Sequence, residues 1–401
     1  MSILKNGVLL TKRGFLVNAI LFFYFYTLYF VFSLYVIRHA IPSADNRPIV
    51  QLSFNFVLVI TILSISFFVQ KINKLSAIYA CSLVSSSIAV LLFFASNDIL
   101  RLIFIFVVGI CLGIGQLAFS TYFWNLTVPE ERGRIGGLIG FVSLPFCSIG
   151  IVLAETLDFP GTVMLSVILG LGVLLVILLR PEKAVLTAKK NEIGSYPEKR
   201  TILLYSIPWI MFSVINATLS MNISVNTMQQ VSSSFYFFLN ILQLIGTLFG
   251  VLGGGIIADF FGRRLTLAFG LTLYGISSAL AGLVNNDATF SFMYTANGLS
   301  WGILLILYTF VVWGDLANKE NCGKMYSIGL TTLYLTKGVA LFAPTSQVPL
   351  VISSLASCLL IFLSNVPLIL APELLPSDFR EKMKLKLHLR TLRKIRKQSQ
   401  N

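Results

Sequence analysis

The chain has 401 residues, of which 56% are hydrophobic and 11% charged, and its formal net charge is +14. Soluble globular domains hold about 25% charged residues, so this composition, with a mean hydropathy of +0.85, excludes a water-soluble fold and marks an integral membrane protein. The five cysteines (Cys81, Cys111, Cys147, Cys322, Cys358) have neither metal-ligand nor disulfide-framework spacing, and the two histidines, His39 and His388, lie far apart, which argues against a zinc site or a His-based triad.

A spanning helix needs about 20 apolar residues. Twelve such runs follow one another, at 14–37, 49–69, 75–95, 99–122, 135–154, 162–179, 201–221, 233–258, 265–284, 290–313, 325–345 and 348–370. The first follows Lys5, Lys12 and Arg13. It is longer than the core of a cleaved signal peptide, so it reads as a membrane helix. All twelve are expected to be α-helical, because a backbone in lipid must satisfy its own hydrogen bonds.

The basic residues set the orientation. With the N-terminus in the cytoplasm, 26 of the 30 Lys and Arg fall in inner segments, while Arg38, Arg47 and Arg101 fall outside and Lys337 within a span. Such a bias is the positive-inside pattern. It predicts a multi-pass protein of the cell membrane with both termini cytoplasmic, and it accounts for the basic excess without nucleic acid.

The longest inner segment, 181–200, divides the chain. It separates an N-terminal six-helix unit at 1–180 from a C-terminal one at 201–375, followed by a basic tail at 376–401. An internal repeat supports the division. Asn125-Leu126-(x)3-Glu130-(x)2-Gly133-Arg134 recurs in the second half as Asp315-Leu316-(x)3-Glu320-(x)2-Gly323-Lys324, and Gly109-(x)3-Gly113 recurs at nearly the same offset as Gly298-(x)3-Gly302. In the tail, Leu385, Leu389, Leu392 and Ile395 fall near helical spacing among Lys and Arg. This reads either as an amphipathic helix on anionic lipid or as a disordered basic segment.

Between the eighth and ninth spans the pattern Gly255-(x)3-Asp259-(x)2-Gly262-Arg263-Arg264 resembles the loop signature of the major facilitator superfamily of transporters. Glu130-Glu131-Arg132-Gly133-Arg134, after the fourth span, is also similar to that family. Two positions depart from it. Phe260 stands where the family has a basic residue, and Gln70-Lys71-Ile72-Asn73-Lys74, where the first-half copy of the Asp259 loop should lie, has no carboxylate. The resemblance implies an all-α membrane protein with two pseudo-symmetric six-helix bundles around a central site. It implies a secondary transporter moving a small anionic or neutral solute by alternating access, as a monomer and without a cofactor. It further implies a gate on the cytoplasmic side, formed by Gly255, Asp259, Gly262, Arg263 and Arg264 with Glu130, Arg132 and Arg134, and by Glu320 and Lys324 nearby. A multidrug-type efflux pump and a non-transporting receptor or scaffold on the same fold are the alternatives. The lack of Asp or Glu within the twelve runs counts against exchange of cationic drugs for protons, and no catalytic cluster suggests an enzyme.

In that family the first, fourth, seventh and tenth spans line the cavity. Here they offer Tyr26, Gln116, Asn216, Asn297 and Trp301, to which the eighth adds Asn240 and Gln243. An amide in lipid turns inward, either to line a cavity or to join helices. Lys337 falls near the middle of the eleventh run, where a charge costs about 2.5–3.5 kcal/mol. It reads as a cationic contact for an anionic solute, as a group whose protonation couples transport, or as a snorkelling Lys. Pro145 in the fifth run marks a kink that neighbouring helices tolerate.

Overall fold

A computed structural model describes residues 10–41, 46–179, 198–283, 286–341 and 349–376. They form twelve helices. In the first half these are α1 (Lys12–Ala40), α2 (Asn46–Ser66), α3 (Lys74–Phe94), α4 (Asp98–Leu126), α5 (Pro129–Thr156) and α6 (Phe159–Leu178). In the second half they are α7 (Lys199–Gln230), α8 (Ser233–Phe261), α9 (Arg263–Leu283), α10 (Asp287–Asp315), α11 (Cys322–Ala340) and α12 (Leu350–Leu370). Among the described residues, ten are long and apolar enough to cross a membrane. The other two are α6, whose described apolar stretch is short, and α11, which carries Lys324, Lys337 and several hydroxyls. The dividing segment 181–200 and the tail 376–401 lie outside the described residues, apart from 198–200 and 376.

Side-chain caps start the helices where polar residues interrupt the apolar runs. Asn97 accepts from the Ile99 N–H at 2.9 Å to open α4, and Asn286 accepts from the Thr289 N–H at 2.8 Å to open α10. Each is followed by an Asp in the first turn, Asp98 and Asp287, where the helix dipole favours a negative charge. The two Asn-Asp pairs keep the offset that separates Gly109 from Gly298, so the repeat extends to the caps. Several helices outrun the apolar stretches that announced them. Asp259 belongs to α8 and Asp315 ends α10, and both carboxylates are buried, whereas the apolar boundaries alone had left them at the ends of spans. The described part of α11 ends at Ala340, with Lys337 in its last turn.

The two halves meet along two crossings, α5 against α8 and α2 against α11. The first is lined by glycine because the backbones nearly touch. A Cβ on Gly137 would lie 2.8 Å from the Val251 carbonyl oxygen, and one on Gly133 would lie 2.5 Å from that of Gly255. Small residues are the usual means of close helix approach in a membrane. Within the halves the repeated glycine pairs do equivalent work. Gly109 and Gly113 of α4 pack on Phe54 and on Leu58 and Thr61 of α2, while Gly298 and Gly302 of α10 pack on the backbone of α8 at Gln243 and Thr247. Two helices that meet at the seam contain a π-helical turn, α1 over Val31–Val36 and α10 over Leu307–Val311. Such turns often occur at functional sites.

Candidate functional site

A cavity of about 370 Å³ lies between the halves, within the size range of small-molecule sites. Its polar wall comes mostly from the second half: Asn216 of α7, Asn240, Gln243 and Thr247 of α8, and Tyr294, Asn297 and Trp301 of α10. The first half contributes Tyr26 and Phe30 of α1 and Leu144, Cys147, Ser148 and Ile151 of α5. Among the described residues, none of the lining side chains is Asp, Glu, Lys or Arg. Gln243 precedes Asp259 by sixteen residues on α8, about 24 Å at 1.5 Å per residue, so the cavity and the Asp259 turn occupy opposite ends of the bundle.

Each carboxamide is used in part. Asn216 accepts from the Tyr274 hydroxyl at 3.2 Å, the Asn240 NH2 donates to the Tyr236 carbonyl at 2.9 Å, and the Gln243 NH2 donates to Asn297 Oδ1 at 3.3 Å. This leaves the NH2 groups of Asn216 and Asn297 as donors, and the oxygens of Asn240 and Gln243 as acceptors, with no partner among the described residues. Tyr26 shares a 3.1 Å hydrogen bond with Thr309 in the π turn of α10, which joins the two halves beside the cavity.

The opposite end is closed by a buried chain of charges that crosses the seam twice. Asp259 accepts from the Gly133 N–H at 3.0 Å, from the Arg134 N–H at 2.7 Å, from Arg134 Nε at 3.2 Å and from the Arg263 guanidinium at 2.6 Å. Arg263 Nε also donates to Asp315 at 2.9 Å, and Arg132 donates to the other oxygen of the same carboxylate. The Arg263 guanidinium further donates to the Pro129 carbonyl at the start of α5. The side chains of Asp259, Asp315, Arg132 and Arg263 are at most 1% exposed, so each charge relies on its partners instead of water. Trp124 Nε1 donates across the same seam to the Gly314 carbonyl at 2.9 Å.

Gly262 makes the sharp turn between α8 and α9. It is the one described glycine with positive φ, at 108°, a conformation that costs an L side chain energy. The Glu373 carboxylate caps the start of α9 by accepting from the N–H groups of Arg263 at 2.7 Å and Arg264 at 3.2 Å. Phe260, in the position where the related signature carries a basic residue, lies under the Arg134 guanidinium, 5.9 Å from its ring centroid.

Similarity to known structures agrees with this architecture. The human organic anion transporter MFSD10 (TETRAN) aligns with TM-score 0.65 at 13% identity, over 89% of this chain and 99% of that one. The transporter FucP, in its outward conformation, aligns with TM-score 0.66 at 13% identity, over 89% of this chain and 98% of that one. A variant of the E. coli fucose:proton symporter FucP gives TM-score 0.65, also at 13% identity. The chain has the major facilitator superfamily fold. No protein-family model and no curated protein sequence matches it, so the likeness is one of structure.

Within the superfamily fold, the residues singled out from the sequence separate into groups. Tyr26, Asn216, Asn240, Gln243, Asn297 and Trp301 line the cavity together. Gln116 and Lys337 are not among the lining residues. Gln116 is buried and accepts from the Tyr334 hydroxyl, and the Lys337 ammonium lies over the rings of Phe30, at 4.2 Å, and Tyr29, at 5.6 Å. Gly255, Asp259, Gly262, Arg263, Arg132 and Arg134 converge at the closed end. Glu130 offers its carbonyl to Arg134, and Arg264 turns away to the Ala371 carbonyl at 3.1 Å. Glu320 and Lys324 stand apart from Asp259, with Lys324 over the ring of Phe67, just past the end of α2, at 5.1 Å. Asp315 and Glu373 belong to the closed end although neither falls in the signature. For Asp315 a signal existed, because it replaces the amide of Asn125 in the repeat.

Proposed function

We propose that this chain is a secondary transporter that moves a small polar solute between the two faces of the cell membrane by alternating access. The observation that carries this reading is a cavity walled by both halves and shut at one end by ion pairs that those halves share. When the halves rock, the Asp259 and Asp315 networks part and the solute meets the other compartment. The lining favours an uncharged solute bearing hydroxyls. A hydroxyl both donates and accepts, which matches two free amide donors and two free amide acceptors, and Trp301 and Tyr294 provide flat apolar surface. Among the structural neighbours one is described as an organic anion transporter and another as a fucose:proton symporter. The charge-free wall here favours a solute nearer the second description. A cationic drug would find no carboxylate among the described lining residues of this cavity.

The positive-inside pattern orients the closed end toward the cytoplasm with both termini there, and lets the basic tail lie on anionic lipid. Cavity and closing network are complete within one chain, so a monomer suffices.

Cys147 lines the cavity and provides a test. In oriented membrane vesicles a water-soluble thiol reagent should label Cys147 from the face opposite Asp259. A panel of hexoses and polyols should contain members that slow the labelling. Labelling from neither face would reject a hydrated cavity. Labelling that only large cations slow would replace the neutral solute with a drug-like one.

A further inference from the structure

We infer that Lys337 forms a binding subsite for a small monoanion, screened from the solute cavity by the ring of Phe30. The ammonium sits in the last turn of α11, at the seam with α1 and α2. Its neighbours are aromatic faces, Phe30 at 4.2 Å and Tyr29 at 5.6 Å, and it pairs with no carboxylate among the described residues. Ring faces attract a cation but leave its charge uncancelled and give its N–H groups no lone pair to bond.

The nearest tyrosine hydroxyls donate elsewhere. One turn earlier on α11, the Tyr334 ring packs against Tyr29 at a tilt of 57°, with centroids 4.6 Å apart, and its hydroxyl donates to Gln116. The Gln116 side-chain nitrogen, fully buried, has no acceptor. Tyr29 spends its own hydroxyl on Asn55 at 2.9 Å. When protonated, Lys337 gives the seam a positive charge, and Gln116 adds an unmatched donor, which a halide or a carboxylate would balance.

Phe30 supplies the route. Its ring lines the cavity on one side and meets the ammonium on the other, so a rotation of that one side chain brings Lys337 into contact with the cavity. The anion is either a free inorganic ion or the carboxylate end of a solute. Entry depends on the central cavity being a solute path, whereas binding does not, and it is measured without transport.

The experiment follows the melting temperature of the purified full chain while sodium methanesulfonate is replaced by sodium chloride or sodium acetate at fixed ionic strength. A saturable rise of about 2 °C is expected for the parent, and Lys337→Gln should abolish it while Lys337→Arg keeps it. In Phe30→Ala, which leaves the ammonium in place, half-saturation should fall several-fold. A response to chloride alone identifies a free halide as the occupant. A response to acetate, extended to larger carboxylates in Phe30→Ala, identifies the end of an organic solute. No saturable response in the parent and in Phe30→Ala overturns the subsite, as does a response that survives Lys337→Gln unchanged.

Discussion

The Asp259 carboxylate accepts a hydrogen bond from the backbone N–H of Gly133 at 3.0 Å, although the two residues are 126 positions apart and belong to opposite halves. The repeat places a second contact at the equivalent point. Moving Gly133 forward and Asp259 back by the offset that separates Asn125 from Asp315 gives Gly323 and Val69. These also touch, with Val69 fully buried and Gly323 against its methyls. The same backbone approach is therefore sealed by charge at the α5–α8 crossing and by apolar packing at the α2–α11 crossing. The missing first-half carboxylate is a substitution within a preserved contact. Separating the first crossing would break buried ion pairs, and separating the second would part small apolar surfaces.

Asp259→Asn should release the charged crossing. The amide keeps the shape but loses the charge facing Arg134 and Arg263, and removing one partner of a buried pair costs about 3–5 kcal/mol. Because α8 keeps its apolar faces, the loss should appear mainly as a shift of more than about 100-fold away from the closed arrangement, at about 1.4 kcal/mol per tenfold. Cys322 is buried at the start of α11, at the same end. Its labelling by a thiol reagent should accelerate in the variant while labelling of Cys147 in the cavity slows. Unchanged rates at both positions would mean that the network does not hold the halves together.

Gly133→Ala tests the approach itself. The added Cβ would lie 2.5 Å from both the Asp259 carboxylate and the Gly255 carbonyl, and the latter is backbone that cannot swing aside. Overpacking of this kind costs about 1–3 kcal/mol. The melting temperature should fall and Cys322 should become more reactive. Gly253→Ala is the matched control, since nothing lies within 4 Å of a Cβ there. It should be neutral or stabilising by up to about 1 kcal/mol, the gain for Gly to Ala in a helix interior. Of the three consecutive glycines, then, Gly254 and Gly255 serve packing and Gly253 does not.

The superfamily fold was legible because its signals are strong over short windows: apolar runs of membrane length, lopsided Lys and Arg, and a repeat that maps one half onto the other. The cavity amides were legible because an amide in lipid has to turn inward, though that argument alone could not separate Gln116, which joins helices, from Gln243, which lines the cavity. Partnerships across the seam were not. Arg132 meets Asp315 from 183 residues away, and Arg134 meets Asp259 from 125 away, and neither pairing leaves a periodic trace.

Glu373→Gln should loosen the turn between α8 and α9. The carboxylate accepts from Arg263 N, Arg264 N and Leu375 N, the first two at the start of α9. Hydrogen bonds to a charged group contribute about 1.5–3 kcal/mol. Losing the charge should lower the melting temperature while leaving solute protection of Cys147 in the parent range. Gly262→Ala at the same turn should cost more than the cap, because it adds backbone strain to a Cβ lying 2.5 Å from Glu373. A larger loss in Glu373→Gln than in Gly262→Ala would place the weight on the cap instead of the turn.

Asn297→Ala addresses the cavity. It removes one free donor and also strips Gln243 of the oxygen that holds its NH2 at 3.3 Å. A neutral hydrogen bond contributes about 0.5–1.5 kcal/mol. With two bonds affected, the concentration of a protecting polyol needed to slow Cys147 labelling by half should rise about 10-fold or more. Gln243→Ala should act on the same pair, so the double variant should lose less than the sum of the singles. Gln116→Ala, on a residue outside the cavity that is bonded to Tyr334, should leave that concentration unchanged even if it lowers the melting temperature. Equal losses from Asn297→Ala and Gln116→Ala would show that protection reflects general loosening of the bundle and not contact between solute and amide.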